Sequence, residues 1–329
     1  MPEIPSVNKY IHSLKTRLVK LGPRNPLVRL ALRLHGRMKG FTVRFQGDRI
    51  HLRSSDQLMI LDLAQYVQVP IMMDAFDLYF RTIQPIKQAG LKILDYSKPG
   101  FHQYTAHGVG FYFPSVPEDD SMDVYLSAYS PKKGDVVWDV GAHAGASSYF
   151  LSKLVGASGK VYAFEPDESN YQYLLRNIAM HCLTNVIPVR KALSGSTGSA
   201  SFTMDGTMSA GISDFLAYPC AQTNTVETIS ISDACKDFGS IPAYIKMDIE
   251  GAELASIVGS AEFLRQHPIH IAFEGHRIAN EPTHVSLGRI FPEIGYDVRT
   301  TIVSGQVFAS ATPLRYLTAE DRDTSGMIA

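Results

Sequence analysis

The chain has 329 residues, of which 45 % are hydrophobic and 19 % are charged. These are ordinary values for a globular protein, and they exclude a disordered, collagen-like or coiled-coil chain. The length predicts about two domains, or one domain with a large extension. No run of 18 apolar residues occurs and the N-terminus lacks an uninterrupted apolar stretch, so neither a spanning helix nor a secretory signal is expected.

The net charge of −1 conceals an asymmetry along the chain. Residues 1–50 contain eleven Lys and Arg but only the acids Glu3 and Asp48, a net charge of +9, and the remainder has a net charge of −10. A basic arm of this kind favours contact with phosphates, anionic lipid or an acidic partner. The alternative is a solvated helical face that packs on the rest of the protein.

The cysteines bear on the cellular compartment. Cys182, Cys220 and Cys235 are scattered and show neither metal-ligand spacing nor a disulfide framework, which fits a reducing cytosol. We therefore expect a cytoplasmic protein, with peripheral contact to the inner face of a membrane through residues 7–39 as one option for the basic arm.

Residues 1–125 predict an N-terminal extension of helices and hairpins. Residues 7–21 have apolar side chains at helical spacing, and a second helix is expected over about 27–38, with Arg29, Arg33 and Arg37 on one face. Residues 41–52 alternate between apolar and polar around a Gly47-Asp48 turn, which predicts a hairpin. Further expectations are a mostly helical segment over 55–92 and strand over 101–116.

From Gly134 onward, short apolar strands alternate with helices. This rhythm predicts βαβ units and a mostly parallel sheet with helices on both faces, in a domain over 126–316 that is followed by a flexible tail over 317–329. The expected strands are 136–140, 161–164, 186–190, 244–249 and 269–273, the expected helices are 144–155, 167–180 and 252–264, and segments 296–303 and 306–310 predict a closing hairpin.

Acidic residues stand at the carboxyl ends of four of these strands, where an open parallel sheet binds its ligands. A purely structural role would not require so many acids at one edge. The strand ends read Asp139-Val140-Gly141-Ala142-His143-Ala144-Gly145, then Glu165-Pro166, then Lys246-Met247-Asp248-Ile249-Glu250-Gly251, and then Glu274-Gly275-His276.

The first of these turns contains Gly141 and Gly145, which allow close approach of the backbone to a ligand and to the next helix. It is neither the dinucleotide fingerprint nor the phosphate-binding loop. Because Asp139 precedes the turn directly, it suits a ligand with a cationic part and no phosphate, such as S-adenosylmethionine. Glu165 is placed to accept both ribose hydroxyls, although an NAD enzyme also has an acid near this distance.

Four segments together resemble the FkbM-type methyltransferase family. They are the turn Asp139–Gly145, then Ala163-Phe164-Glu165-Pro166, then Ala192-Leu193-Ser194, and then Ile245-Lys246-Met247-Asp248-Ile249-Glu250-Gly251-Ala252-Glu253. The last run is the most specific, and the resemblance extends over about 130–275. It implies a class I methyltransferase fold with a seven-stranded, Rossmann-like sheet whose last strand is antiparallel. It also implies S-adenosylmethionine as donor and O-methylation, often of sugars, glycans or natural products.

The resemblance further implies roles for individual residues in cofactor binding. Asp139 and Gly141 would hold the methionine end, within a turn that also contains His143 and Gly145, and Glu165 would hold the ribose. Ala192 and Leu193 would line the adenine pocket, where this chain has Lys191-Ala192 in place of an acid that many class I enzymes have. His143 stands where the family often has Asn.

Methyl transfer to a hydroxyl requires removal of a proton, by a general base or with help from a metal. Asp248 and His276 are the two candidates for the base, and Lys246 is a candidate catalytic residue that alternatively forms a structural ion pair with Asp248 or Glu250. Asp248, Glu274 and His276 are also a candidate site for Mg²⁺, since carboxylates suit a hard cation. Glu250 is expected to secure a helix start, and Glu253 to lie at the surface or behind the site.

Three other functions remain open. An NAD-dependent oxidoreductase is disfavoured by the missing dinucleotide fingerprint, and a nucleic-acid methyltransferase by the acidic body and the absence of any Pro-Pro. A catalytically silent binding protein is disfavoured because the strand-end acids are all kept. The expected partner is therefore a small-molecule or glycan hydroxyl acceptor rather than a nucleic acid. The extension is expected either to cap the active edge or to mediate homodimer formation.

Overall fold

The computed structural model describes residues 21–118, 122–203, 211–212, 223–278, 281–303 and 306–317. The chain divides into two compact units, Met1–Asp119 and Asp120–Ala329. Among the described residues, no helix combines the length and apolar character needed to span a bilayer.

The first unit is built on a five-stranded sheet with the strand order β1-β2-β3-β5-β4. Its strands are β1 (Thr42–Gln46), β2 (Arg49–Ser54), β3 (Gln57–Asp62), β4 (Ile86–Gln88) and β5 (Leu91–Tyr96), and a separate hairpin consists of β6 (Gly100–Gln103) and β7 (Gly110–Phe113). The helices are α1 (Pro26–Met38), a 3-10 helix (Leu63–Gln68), α2 (Val69–Asp74) and α3 (Phe76–Thr82).

Helix α1 begins where the sequence has both a cap and a proline. The Asn25 side chain accepts a hydrogen bond from the Leu27 N–H, and Pro26 occupies the first helical position. The expected hairpin is confirmed as the antiparallel pair β1 and β2, joined by the Gly47-Asp48 turn. The helix expected over 7–21 falls outside the described residues except for Leu21.

The mostly helical prediction for 55–92 is wrong for half of that segment. Residues Gln57–Asp62 form β3, which lies in the middle of the five-stranded sheet with Met59 and Leu61 fully buried. A short apolar run fits a buried strand as well as a helix, and periodicity alone does not separate the two. Strand β4 and the start of β5 are the other strands in this segment.

The second unit contains a seven-stranded sheet with the order β10-β9-β8-β15-β16-β20-β19. The first five strands in this order are parallel, β20 is antiparallel to β16, and β19 is antiparallel to β20. The strands are β8 (Val136–Val140), β9 (Lys160–Phe164), β10 (Val186–Val189), β15 (Tyr244–Met247), β16 (His270–Glu274), β19 (Tyr296–Val303) and β20 (Gln306–Pro313). This arrangement confirms the sheet that the resemblance implied.

The helices of this unit are α4 (Met122–Tyr125), α5 (Ala146–Val155), α6 (Glu168–Met180), α7 (Ile231–Phe238), α8 (Glu253–Gly259), α9 (Ala261–Gln266), α10 (Thr283–Glu293) and a 3-10 helix (Leu314–Tyr316). The single helix expected over 252–264 is interrupted at Ser260, which separates α8 from α9. Sequence analysis assigned no element to α7 or α10.

A small second sheet follows β10, and sequence analysis did not anticipate it. Its order is β11-β14-β12-β13, and β17 and β18 pair separately. These strands are β11 (Ala192–Leu193), β12 (Gly198–Thr203), β13 (Gly211–Ile212), β14 (Thr223–Ile229), β17 (Arg277–Ile278) and β18 (Glu281–Pro282).

The seven-stranded sheet is buried on both faces, which explains why its parallel strands are almost continuously apolar. Trp138 belongs to a core cluster with Phe164 and Phe273, whereas its neighbour Val137 belongs to a second cluster with Leu151. The strand order reverses between β8 and β15, so the carboxyl ends of these two strands define the switch point where ligands bind in such sheets.

Candidate active site

Asp139 and Lys246 form a buried ion pair across the switch point. They face each other in the register of β8 and β15, with 3.3 Å between Lys246 Nζ and Asp139 Oδ1. Ser147 and Ser148, at the start of α5, each donate a hydroxyl hydrogen bond of 2.6 Å to Asp139 Oδ2. Lys246 Nζ also donates to the Gly141 carbonyl at 3.0 Å. The pair therefore fixes the glycine turn to both strands and to the helix that follows.

Gly141 is required by a close approach of backbone to backbone. Its φ is +80°, and a Cβ at this position would lie 1.8 Å from the Asp248 carbonyl oxygen. Gly145 has a φ of +88°, and a Cβ there would lie 2.6 Å from Leu174 Cδ1 on α6. His143, between them, also has a positive φ of 47°. The turn is thus packed against the backbone that follows β15 and against α6, and these contacts within the protein explain why both positions are glycine.

Glu165 follows β9 and is buried next to the same turn. Its Oε2 accepts the His143 N–H and its Oε1 accepts the Asp167 N–H, each at 2.8 Å. Burial raises the pKa of Glu165 to about 7, although His143 and these two hydrogen bonds oppose the shift. A buried carboxyl that titrates near neutrality is typical of functional sites, because a ligand can readily change its ionisation.

Ala192 and Leu193, the expected adenine-pocket residues, form β11 and pair with the end of β14. Both side chains are buried, Leu193 in the core cluster of Trp138 and Ala192 in a small cluster with Phe202. The preceding Lys191 forms an ion pair with Glu227, with 3.4 Å between Nζ and Oε2.

His276 lies among three carboxylates beyond the carboxyl ends of β15 and β16. Its Nδ1 is 2.9 Å from Glu253 Oε1, and its Nε2 is 3.6 Å from Asp248 Oδ1 and 3.7 Å from Glu250 Oε2. Glu253 is fully buried, and its Oε1 also accepts the Ile249 N–H at 3.1 Å. The imidazole is therefore held at one nitrogen and presents the other to the two more exposed acids.

The charge of this cluster follows from its geometry. Burial alone would lower the pKa of His276, but the Glu253, Glu250 and Asp248 carboxylates outweigh burial and hold the pKa well above its usual value. The three carboxylates therefore favour the protonated form of His276. The Asp248 side chain is one-third exposed and lies 4.0 Å from Lys246, so the cluster continues into the buried pair at the switch point.

Residues 139–298 match the model of the FkbM methyltransferase domain. This part of the chain is an FkbM methyltransferase domain. The match begins at the buried Asp139 and contains the glycine turn, Glu165 and the whole cluster around His276. This domain is accordingly that of a methyltransferase that depends on S-adenosylmethionine, and the seven-stranded sheet described above is its class I fold.

Three solved structures are similar to part of this chain. A SAM-dependent methyltransferase from Aquifex aeolicus is 20 % identical with a TM-score of 0.36, over 59 % of this chain and 93 % of that one. A precorrin-6y C5,15-methyltransferase from Geobacter metallireducens GS-15 is 14 % identical with a TM-score of 0.40, over 60 % and 90 %. A methyltransferase FkbM from Methylobacillus flagellatus KT is 15 % identical with a TM-score of 0.39, over 75 % of this chain and 54 % of that one. No curated protein matches the chain.

The methyltransferase brings together the three residues that were candidate metal ligands. Each residue offers one ligand atom, and these three atoms, from Asp248, Glu274 and His276, all lie within 4.8 Å of one another. Glu274 Oε1 also accepts a hydrogen bond of 3.1 Å from Gln306 Nε2. Two carboxylates and an imidazole are an acceptable donor set for a divalent cation. Such a cation would have to replace the proton that the carboxylates stabilise on His276.

Glu253 is the residue of this methyltransferase that sequence reasoning undervalued. It was expected at the surface or behind the site, and the structure places it behind the site, fully buried and bonded to His276. A carboxylate in the first turn of a helix ordinarily interacts with the helix dipole, which is an adequate local explanation. Nothing local indicates a histidine partner, because His276 comes after an intervening helix pair and strand.

Proposed function

We propose that this methyltransferase transfers a methyl group to a hydroxyl group of a small molecule, such as a sugar, a glycan or a natural product. The observation that carries the proposal is the 3.6 Å separation of Asp248 Oδ1 and His276 Nε2 beside the switch point. An alcohol is a poor nucleophile until it loses its proton, so an acceptor hydroxyl needs a base at this place. S-adenosylmethionine supplies a methyl group that is already activated, which leaves alignment and proton removal to the protein.

The residues around the glycine turn fit this donor. The turn from Gly141 to Gly145 follows the carboxyl end of β8, beside the switch point where such sheets bind their ligands. We assign Glu165 to the ribose hydroxyls, since its carboxyl is buried beside the turn. Asp139 contacts Lys246 and two serines, so we assign it the role of fixing the turn, with the methionine end held by the turn itself.

We assign Asp248 as the acceptor of the hydroxyl proton. It is the more exposed partner of the pair, whereas the surrounding carboxylates favour the protonated form of His276, which is a poorer proton acceptor. The imidazolium then orients Asp248 and balances the charge of the neighbouring carboxylates. Glu253 positions His276 by holding its other nitrogen, and Lys246 links the cluster to the turn.

A divalent cation at Asp248, Glu274 and His276 is a second way to activate the hydroxyl. Mg²⁺ held there would lower the pKa of a hydroxyl that it binds, and the acceptor proton would then pass to water rather than to a dedicated base. The proximity of the three ligand atoms is what supports this arrangement. The two arrangements differ in their response to chelation, because only the second one loses its activity in EDTA.

The first test is calorimetric titration of the full-length chain with S-adenosylmethionine, with NAD titrated in parallel. Binding of S-adenosylmethionine alone, abolished by Glu165→Ala, is the expected result, and binding of NAD instead would overturn the assignment.

The second test screens hydroxylated sugars and glycans for release of S-adenosylhomocysteine, with EDTA and with added Mg²⁺. Asp248→Asn should abolish turnover but retain donor binding, whereas the exposed control Glu262→Gln should leave both unchanged. Turnover only on amine acceptors would contradict O-methylation.

A further inference from the structure

Helix α1 of the first unit exposes a row of large apolar side chains. Leu27, Leu30, Leu34 and Met38 are 60 %, 51 %, 50 % and 85 % exposed. They recur every three or four residues and so lie along one side of the helix. The side that α1 buries is a different one, because Val28 and Gly36 are its buried residues. We call these four residues the apolar stripe. Single exposed apolar residues are normal, but a continuous row marks an interaction surface.

The charge of α1 is concentrated beside the apolar stripe. The helix contains Arg29, Arg33 and Arg37 but no acidic residue. At 3.6 residues per turn, the arginine row lies between the apolar stripe and the buried side. The guanidinium groups of Arg29 and Arg33 lie 5.0 Å and 5.4 Å from the centroid of the Phe45 ring on β1. These contacts place the start of the arginine row beside β1. Arg33 and Arg37 are exposed.

Charge also decides what can cover this surface. A second copy that packed α1 against α1 would set one basic helix against another, and the preceding segment 1–20 is itself basic, with four Lys and Arg against Glu3 alone. Both would meet the arginines with like charge. An anionic lipid surface complements them. The stripe is aliphatic and lacks the Trp and Tyr side chains that anchor most protein interfaces, whereas aliphatic residues suit the acyl region just below lipid headgroups.

We propose that α1 binds anionic membranes while lying in the plane of the interface. The apolar stripe enters the acyl boundary, and Arg33 and Arg37 remain at the level of the headgroups, where their long side chains reach phosphate oxygens. This inference does not depend on the acceptor or on the chemistry of the second unit. It explains why a folded helix exposes four large apolar side chains to water. It also explains why the helix has no acidic residue that would repel an anionic surface.

The test is co-sedimentation of the full-length chain with vesicles of phosphatidylglycerol and phosphatidylcholine, compared with pure phosphatidylcholine. We expect binding to the anionic vesicles that falls steeply with added salt. The double variant Leu30→Asp/Leu34→Asp should lower the affinity by about tenfold or more, since each change removes acyl contact and adds repulsion. Ile86→Asp is the matched control, because Ile86 is 67 % exposed on β4 of the same unit. It should bind like the wild type.

A second variant separates the charge from the stripe. Arg33→Gln/Arg37→Gln should weaken binding to anionic vesicles and flatten its salt dependence, with circular dichroism to confirm that each variant is folded. The proposal is overturned if the wild type ignores anionic vesicles, or if the stripe variant binds them as the control does. It is also overturned if the wild type is a dimer in solution and the stripe variant is a monomer, since the stripe then joins two copies.

Discussion

Glu253 Oε1 contacts His276 Nδ1 at 2.9 Å, from a side chain that is fully buried at the start of α8. The same oxygen accepts the Ile249 N–H, so a single buried carboxylate joins the loop after β15 to the loop after β16. His276 is thereby held with its Nε2 toward Asp248 and Glu250. This contact gives the proposed active site its orientation, and it is the most direct target for mutation.

Glu253→Gln should reduce kcat by about 10- to 100-fold while leaving the KM for S-adenosylmethionine unchanged. The expected size corresponds to the roughly 1.5–3 kcal/mol of a hydrogen bond to a charged group. Because Glu253 raises the pKa of His276, the imidazole should also lose its proton at lower pH in the variant. The ¹⁵N chemical shifts of the His276 ring, followed against pH, report this directly. The same pKa of His276 in both proteins would show that Glu253 does not stabilise the imidazolium. Glu262→Gln is the control.

Gly141→Ala should destabilise the methyltransferase domain much more than Gly295→Ala. Both glycines have positive φ angles, +80° and +87°, so both substitutions carry the same backbone strain of about 1–2 kcal/mol. Only at Gly141 does the added Cβ meet backbone, at 1.8 Å from the Asp248 carbonyl oxygen, whereas nothing lies within 4 Å at Gly295. Urea unfolding of the two variants measures the difference. Similar urea midpoints for the two variants would mean that the turn moves away from β15 with little loss of stability.

Lys246→Met should be strongly destabilising, by about 3–5 kcal/mol, because it leaves the buried Asp139 carboxylate without its cation. Adding Asp139→Asn removes the unpaired charge, so the double variant should regain part of the loss. Lys236→Met is the control, since Lys236 pairs with Asp233 on the surface and its removal should change little. The free energies of unfolding are measured with denaturant for both single variants and for the double variant. If the losses of the two single variants simply add in the double variant, Lys246 and Asp139 are not directly coupled.

The pKa of Glu165 predicts a pH dependence of stability. It is about 7 in the folded protein, against an ordinary value of 4.5. A carboxyl whose pKa is raised on folding stabilises the fold below its unfolded pKa, and this contribution is lost as the pH rises through the folded value. The stability of the wild type relative to Glu165→Ala should therefore fall between about pH 4.5 and pH 7. Thermal unfolding of both proteins across this range checks the slope, and a constant difference would contradict it.

Donor binding should release a proton from Glu165 in the same range. Ribose hydroxyls donate to a carboxylate and thus favour its ionised form, so the affinity for S-adenosylmethionine should rise with pH until about pH 7 and then level off. At pH 6 the calorimetric enthalpy should change between buffers of different ionisation enthalpy, with release approaching one proton per site. No buffer dependence would show that Glu165 keeps its proton state on binding.

Much of the second unit could be predicted because its signals are local. Buried parallel strands are short apolar runs, and their alternation with helices around the glycine turn indicated a parallel sheet with ligands at one edge. Segment 55–92 resisted prediction, since the apolar run of β3 fits a helix or a strand until its sheet neighbours are known. The small sheet that contains β11 and β14 was missed because its strands pair across a long stretch of chain.

For the site, the sequence by itself determined which chemical groups gather at the carboxyl edge of the sheet, since strand direction brings Asp139, Glu165, Asp248 and His276 to the same side. Only the tertiary structure decided what each group does there. The burial of each side chain and the groups that it contacts depend on residues that are distant in sequence. Such long-range contacts pair Asp139 with Lys246 and place Glu253 against His276. Likewise, the sequence showed a basic helix, but only packing revealed that its apolar stripe is left in water.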